Sequence, residues 1–260
     1  MKFQIALVPA AITQFLLRVV ACLVTISFLC QMTVLFLPDY PSRDYLARAF
    51  SVDYELNVPT LYSFLALLFS SILLGAIAHA KNLDGDRYKH HWKVLSLIFL
   101  YLSLDEAAQF HEQLLYPMQK LLNATGFLYF TWVVPFGVLV VIFLLSYIKF
   151  LFHLPIATRK LFALASIFYI GGALGMEMLG GNRAYHEGTQ TIPYLIIVTI
   201  EESCEMLGIV VLIHALMSYI KTYLGGVSWQ IYLGKNRQFT ESQPLEIAAV
   251  GEPANRKARS

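Results

Sequence analysis

"LYLSLDEAAQFHEQLLYP", residues 100–117, places Asp105, Glu106, His111 and Glu112 directly behind the apolar run 94–104. As a surface helix, this stretch would run out into water. As a crossing helix, it would carry ionisable groups at bilayer depth. Composition bears on the choice. With 57% hydrophobic and 14% charged residues in 260, and a mean hydropathy of +0.60, the chain is far more apolar than a water-soluble domain of its length. The expected fold class is therefore all-α, a polytopic membrane helical bundle.

Apolar windows recur near 19–37, 60–80, 94–112, 127–148, 161–180 and 194–219. Each covers the ~20 residues that a bilayer core requires of a helix, if the third keeps its acids. About six transmembrane helices are expected over residues 1–225. A polar stretch at 226–260, "NRQFTESQPLEIAAVGEPANRKARS" and the residues before it, reads as a disordered cytoplasmic tail. The first window is expected to remain as an anchor, because "SFLC" lacks the small residue that lipoprotein processing wants.

Lysine and arginine positions set the orientation. With a cytoplasmic N-terminus, that side collects Lys2, Arg18, Lys81, Arg87, Lys89, Lys93, Lys149, Arg159, Lys160 and six more from Lys221 to Arg259, fifteen in all. The outer side collects four: Arg43, Arg48, Lys120 and Arg183. Were residues 94–117 not to cross, every later loop would change sides and the basic tail would face outward. The bias therefore favours a crossing, with both termini in the cytoplasm.

Depth then follows from helix rise. At ~1.5 Å per residue, Asp105 and Glu106 lie roughly 16 to 18 Å from the cytoplasmic edge of the third span, with His111 and Glu112 nearer its outer end. Glu177, in "GGALGMEMLGG", sits late in a span that also runs outward; Glu201, Glu202 and Glu205, in "TIEESCEMLG", sit early in one that enters from outside. Three helices thus carry carboxylates in the outer half of the membrane. Asp105, Gln109 and Glu112 are spaced i, i+4, i+7 on one expected stripe, and Glu201 with Glu205 are i, i+4 on another.

Seven carboxylates at that depth cannot all be charged and unpaired. Each costs at least ~2.5 kcal/mol on the most lenient insertion scale, and Arg18, Lys120 and Arg183 sit at span ends or in loops. Protons, cations or a water-filled cavity must balance the charge. Clustered carboxylates with an imidazole suit hard or borderline ions such as Fe, Mn, Zn, Ca or Mg. Candidate ligands are Asp105, Glu106, His111, Glu112, Glu177, Glu201, Glu202 and Glu205, and Fe, Mn or Zn are the candidate metals. A di-metal bundle site normally shows Glu-x-x-His on two helices; this chain offers Asp-Glu-x4-His-Glu, a lone Glu177 and Glu-Glu-x-x-Glu instead.

Three functions remain open on this evidence. The first is a metal-binding membrane protein, an oxidoreductase or hydrolase acting on a lipid-like substrate. The second is a proton- or cation-coupled small transporter or channel, with Asp105 and Glu205 alternating between protonated and cation-bound forms. The third is a non-catalytic assembly factor. Phosphate-binding loops, Gly-x-Ser-x-Gly and His-Glu-x-x-His are absent from the sequence. The basic charge lies along the inner membrane surface, where anionic lipids are, so nucleic acid is not an expected partner.

Other residues take plainer readings. Cys22, Cys30 and Cys204 fall in apolar spans and read as small buried hydrophobes. His186 and Glu187 fall in an expected outer loop, "NRAYHEG", and His214 packs within the bundle. Gly171-x-x-x-Gly175 is a spacing that lets helices approach closely, and Gly180 with Gly181 would loosen the exit from the membrane. The outer loop "PDYPSRDYLARAFSVDYELNVPT" is expected to hold a short helix near 43–50 and an extended approach at Val58 before Pro59. Glu55 and Asn57 sit just above the acidic slab, where they can line its mouth.

"ELNVPTLYSFLALL", "LSLDEAAQFHE" and "EESCEMLG", in that order, resemble an uncharacterised family of bacterial polytopic integral membrane proteins. The resemblance spans most of the apolar windows and implies a bacterial inner membrane. That family has no assigned activity, so it implies no catalytic residue.

Overall fold

The structure, a computed structural model, describes residues 8–224, and every regular element among them is helical. The tail expected at 226–260 lies outside the described residues. The elements are α1 (Pro9–Phe36), α2 (Arg43–Phe50), α3 (Val58–Leu83), α4 (Lys89–Ala108), α5 (Leu115–Leu122), α6 (Val133–His153), α7 (Ile156–Ile170), α8 (Glu177–Glu187) and α9 (Ile192–Tyr223). A π-helical stretch, Gly171–Met176, joins α7 to α8, so 156–187 runs on as one helix.

Among the described residues, four helices are long and apolar enough to cross a membrane: α1, α3, α6 and the continuous Ile156–Glu187. α4 carries Lys89, Lys93, Asp105 and Glu106 in its 20 residues, and α9 carries three glutamates and Lys221 in its 32. These two fall outside the set, so length and apolarity alone give four crossings where six are expected. The outside of the bundle is greasy all round. Leu29, Leu61, Leu145 and Ile167 are each more than half exposed, an outward apolar surface compatible with helices that cross a membrane.

α9 is the central helix. Ile209, Ile213 and Leu216 are almost wholly buried against Leu74 and Ile77 of α3 and Trp92 of α4. α3 and α4 pair antiparallel, their backbones tied by serines: Ser71 Oγ–H donates to the Ser96 carbonyl (2.7 Å), Ser96 Oγ–H to the Ser71 carbonyl (2.9 Å) and Ser103 Oγ–H to the Phe64 carbonyl (3.0 Å). Hydroxyls joining helices in this way supply attraction where no hydrophobic effect acts between them. His214 packs inside as expected, its Nδ1 lying 2.8 Å from Thr13 Oγ1 of α1.

The close approach of α7 to α9 rests on glycines other than the expected pair. A Cβ on Gly171 or Gly175 would meet nothing within 4 Å. One on Gly172 would meet the Glu201 carbonyl at 2.9 Å, and one on Gly208 the Tyr169 amide nitrogen at 2.7 Å and the Ala165 carbonyl at 3.0 Å. The face toward α9 runs through Ala165, Tyr169 and Gly172, an i, i+4, i+7 stripe of α7 carried into the π-helical stretch, and Gly171 and Gly175 lie beside it.

Further corrections concern ends of elements. Gly180 and Gly181 are buried in α8, not at a loosened exit, and His186 and Glu187 lie on α8, where Arg183 donates to Glu187. Cys22 points away from the bundle and is exposed; Cys30 and Cys204 are half-buried. The short outer helix is α2, at Arg43–Phe50. Val58 is helical rather than extended: Asn57 caps α3 by accepting from the Thr60 amide, and Pro59 sits in the first turn, where its missing N–H costs nothing.

Candidate functional site

α4 ends earlier than the acidic stripe requires. Gln109 takes a left-handed conformation (φ 56°, ψ 42°) and stops the helix after Ala108, so Gln109 and Glu112 do not continue the face of Asp105. The chain turns back instead. The His111 backbone N–H donates to Asp105 Oδ1 (2.9 Å), and His111 Nδ1 lies 2.8 Å from Asp105 Oδ2. Both carboxylate oxygens act as acceptors, so Nδ1 carries a proton and Nε2 is the ring nitrogen turned away from Asp105. The Trp132 ring, its centroid 4.8 Å from the imidazole's, packs beside it.

Nε2 faces the loop between α2 and α3. Glu55 Oε1 is 3.8 Å away, and ligand atoms of Glu55, His111 and Glu112 lie within 4.8 Å of one another. This is the group among the described residues whose spacing suits one metal ion. Its positioning starts at Asn57, whose Nδ2 donates to the carbonyls of Ser51 (2.6 Å) and Tyr54 (2.7 Å) and folds the loop so that Glu55 points inward. Leu56 takes φ +57° to complete that turn. A bulky side chain at positive φ is strained backbone of the kind stored at functional sites.

The triad lines one part of a cavity of about 350 Å³. All eight residues singled out from the sequence line it: Asp105, Glu106, His111 and Glu112 from α4 and its exit, Glu177 from α8, and Glu201, Glu202 and Glu205 from α9. Asp53 and Glu55 of the outer loop join them. No lysine or arginine among the described residues does. Trp132 Nε1–H donates to Glu177 Oε1 (2.8 Å), and Tyr194 Oη–H donates to Asp53 Oδ1 (3.2 Å). Glu201 is 7% exposed, and its Oε2 has no partner; Glu55 Oε2 is likewise buried and unpartnered. A buried polar oxygen without a donor costs about 1–3 kcal/mol, so these two atoms call for a cation, a proton or water.

The sequence reading assembled the acids but mistook their arrangement. Asp105 and Glu112, expected on one helical stripe, are separated by the end of α4, while Glu55, expected at the mouth, lines the cavity and also faces the imidazole. Asp53, Trp132 and Tyr194 were missed altogether. "FTWVVP", an indole at the start of an apolar run, was the available signal for Trp132.

Burial in the outer loop pushes the Asp53 and Glu55 carboxyls above the ordinary carboxylate value, and the Glu112 charge adds to both, against the Tyr194 hydrogen bond at Asp53 and the His111 ring at Glu55. A carboxyl whose folded value is raised stabilises the fold below its unfolded value and loses that contribution as pH rises through the folded one. Chelator-treated protein is therefore expected to melt at progressively lower temperature as pH rises from the carboxylate range toward neutrality. Thermal melts of wild type and an Asp53→Asn, Glu55→Gln variant check this: the variant should show the shallower slope, and equal slopes would refute it.

A family model described as a domain of unknown function (DUF8692) matches residues 16–220. Neither the curated proteins nor the solved structures contain a match to the chain.

Proposed function

The chain belongs to the DUF8692 family, which brings no assigned activity, and we propose from the geometry that it is a membrane metalloprotein holding one divalent first-row ion on Glu55, His111 and Glu112. The observation that carries this reading is the Asp105–His111 pair. A carboxylate that fixes the ring through Nδ1 and leaves Nε2 toward two glutamates is how metal-binding imidazoles are oriented. Three protein ligands leave coordination positions for water or substrate, as catalytic sites do.

With one imidazole and one such group, activation of water fits better than chemistry needing a carboxylate-bridged metal pair. The reaction class is hydrolysis of a lipid-like substrate. An ion held by Glu55, His111 and Glu112 would supply Lewis-acid activation of water near neutral pH. Asp105 holds the imidazole, Glu106 and Glu177 stand in the same cavity to take or return protons, and Trp132 orients Glu177. Fe, Mn or Zn suits this donor set.

The reading includes six crossings, α4 and α9 being the two that carry the site's acids across, with both termini cytoplasmic and the cavity toward the outer face of a bacterial inner membrane. The fifteen-to-four distribution of Lys and Arg supports that orientation. A second reading, a proton or cation pathway, draws support from the buried, unpartnered oxygen of Glu201, one of the cavity's lining residues.

Elemental analysis of full-length protein, purified in mild detergent without chelator or a histidine tag, tests the proposal. About one equivalent of Fe, Mn or Zn per chain is expected. No metal above background would overturn it and move attention to ion flux in liposomes.

A further inference from the structure

A second cavity, of about 660 Å³, lies against the acidic one. It is walled by apolar side chains of α4, α6, α7 and α9, and α6 stands off from its neighbours, with only Val133 and Phe150 buried. Leu97 of α4 and Leu139 and Leu144 of α6 line this groove and are each more than a third exposed, so it opens to the outside of the bundle. The two spaces share a wall: Leu102, Phe136, Val140, Tyr169 and Ile170 line both. A polar chamber and an apolar groove therefore meet side by side, each within the ~300–1,000 Å³ of small-molecule sites.

We propose that the pair forms one binding site for a long-chain amine, the hydrocarbon in the groove and the ammonium group in the acidic cavity. Charge selects the head group. Nine carboxyl groups line the cavity with no lysine or arginine among the described residues, so a head group there meets acceptors for its N–H donors and no side-chain cation to pair an anion. Glu201, 7% exposed, lines this space, and its buried Oε2 accepts from no donor. Ammonium donors satisfy such oxygens, and the aromatic residues Trp132 and Tyr169 line the same cavity, where an aromatic ring can attract a cation. Apolarity selects the tail. The groove's lining is almost wholly hydrocarbon and aromatic, and its opening on the greasy outside of α4 and α6 lets a chain slide in sideways from the bilayer.

This site rests on the membrane reading above but not on the metal. Radiolabelled hexadecylamine binding to full-length protein in nanodiscs tests it, beside butylamine, hexadecanoate and the Leu97→Trp, Leu144→Trp variant, which fills the groove from two exposed positions. Saturable hexadecylamine binding, weakened about tenfold or more in the variant and not competed by hexadecanoate or butylamine, is expected. No saturable binding, equal competition by hexadecanoate, or undiminished binding in the variant would overturn the proposal. Metal content, measured on the same samples, separates the two claims: amine binding without metal sinks only the metal centre, and metal without amine binding sinks only this site.

Discussion

His111→Ala protein should retain its fold and lose its metal. The imidazole is the one nitrogen ligand in the group of three, and two glutamates alone hold a first-row ion weakly. Asp105→Asn is the sharper probe, because it removes no ligand. The amide keeps its carbonyl for the His111 backbone N–H and turns its NH2 toward Nδ1. An NH2 group only donates, so the ring proton moves to Nε2 and covers the lone pair that would bind metal. A drop in affinity of about 10- to 100-fold is expected, read by metal titration against a competing chelator. Unchanged affinity in the asparagine variant would show that the Asp105–His111 pair closes the helix end and does nothing for metal.

Gly208→Ala should destabilise the bundle while Gly137→Ala should not. A Cβ at Gly208 would lie 2.7 Å from the Tyr169 amide nitrogen, 2.9 Å from its Cβ and 3.0 Å from the Ala165 carbonyl. Two of these are backbone atoms that cannot swing aside, so α7 and α9 must separate, at a cost of about 1–3 kcal/mol. Tyr169 moves with them, and because it lines both cavities the site loosens as well. At Gly137 an added Cβ meets nothing within 4 Å, and alanine gains roughly 0.5–1 kcal/mol as the better helix former. Melting temperatures of the two variants in detergent should move in opposite directions. A harmless Gly208→Ala would mean that the two helices do not approach as described.

What was legible in the sequence follows from which forces are local. Long apolar windows report helices directly, since a backbone in hydrocarbon has to satisfy its own hydrogen bonds, and α1, α3, α6 and 156–187 stand close to where hydropathy puts them. The acids were legible for the same reason: a charge in an apolar run is too costly to be accidental. Their geometry was not. Nothing in "DEAAQFHE" announces the left-handed Gln109, because that turn is fixed by a carboxylate reaching forward six residues to His111, and helical periodicity assumes no such break.

Likewise Gly172 was hidden because the Gly171-x-x-x-Gly175 spacing drew the face one residue off the Ala165, Tyr169, Gly172 stripe, and Gly208 stands in "EMLGIVV" with no second small residue to flag it. Glu55 reaches the imidazole only because Asn57 gathers the carbonyls of Ser51 and Tyr54 while capping α3. A single asparagine before "VPT" looks like a helix cap and conceals the loop it folds.

X-ray absorption fine structure of the metal-loaded, full-length protein bears most directly on the central claim. The account predicts one imidazole nitrogen at ~2.0–2.1 Å among oxygen neighbours at ~2.0–2.2 Å, with the imidazole scattering gone in residual metal bound to His111→Ala protein. An all-oxygen shell, or an imidazole signal that survives the loss of His111, would contradict it.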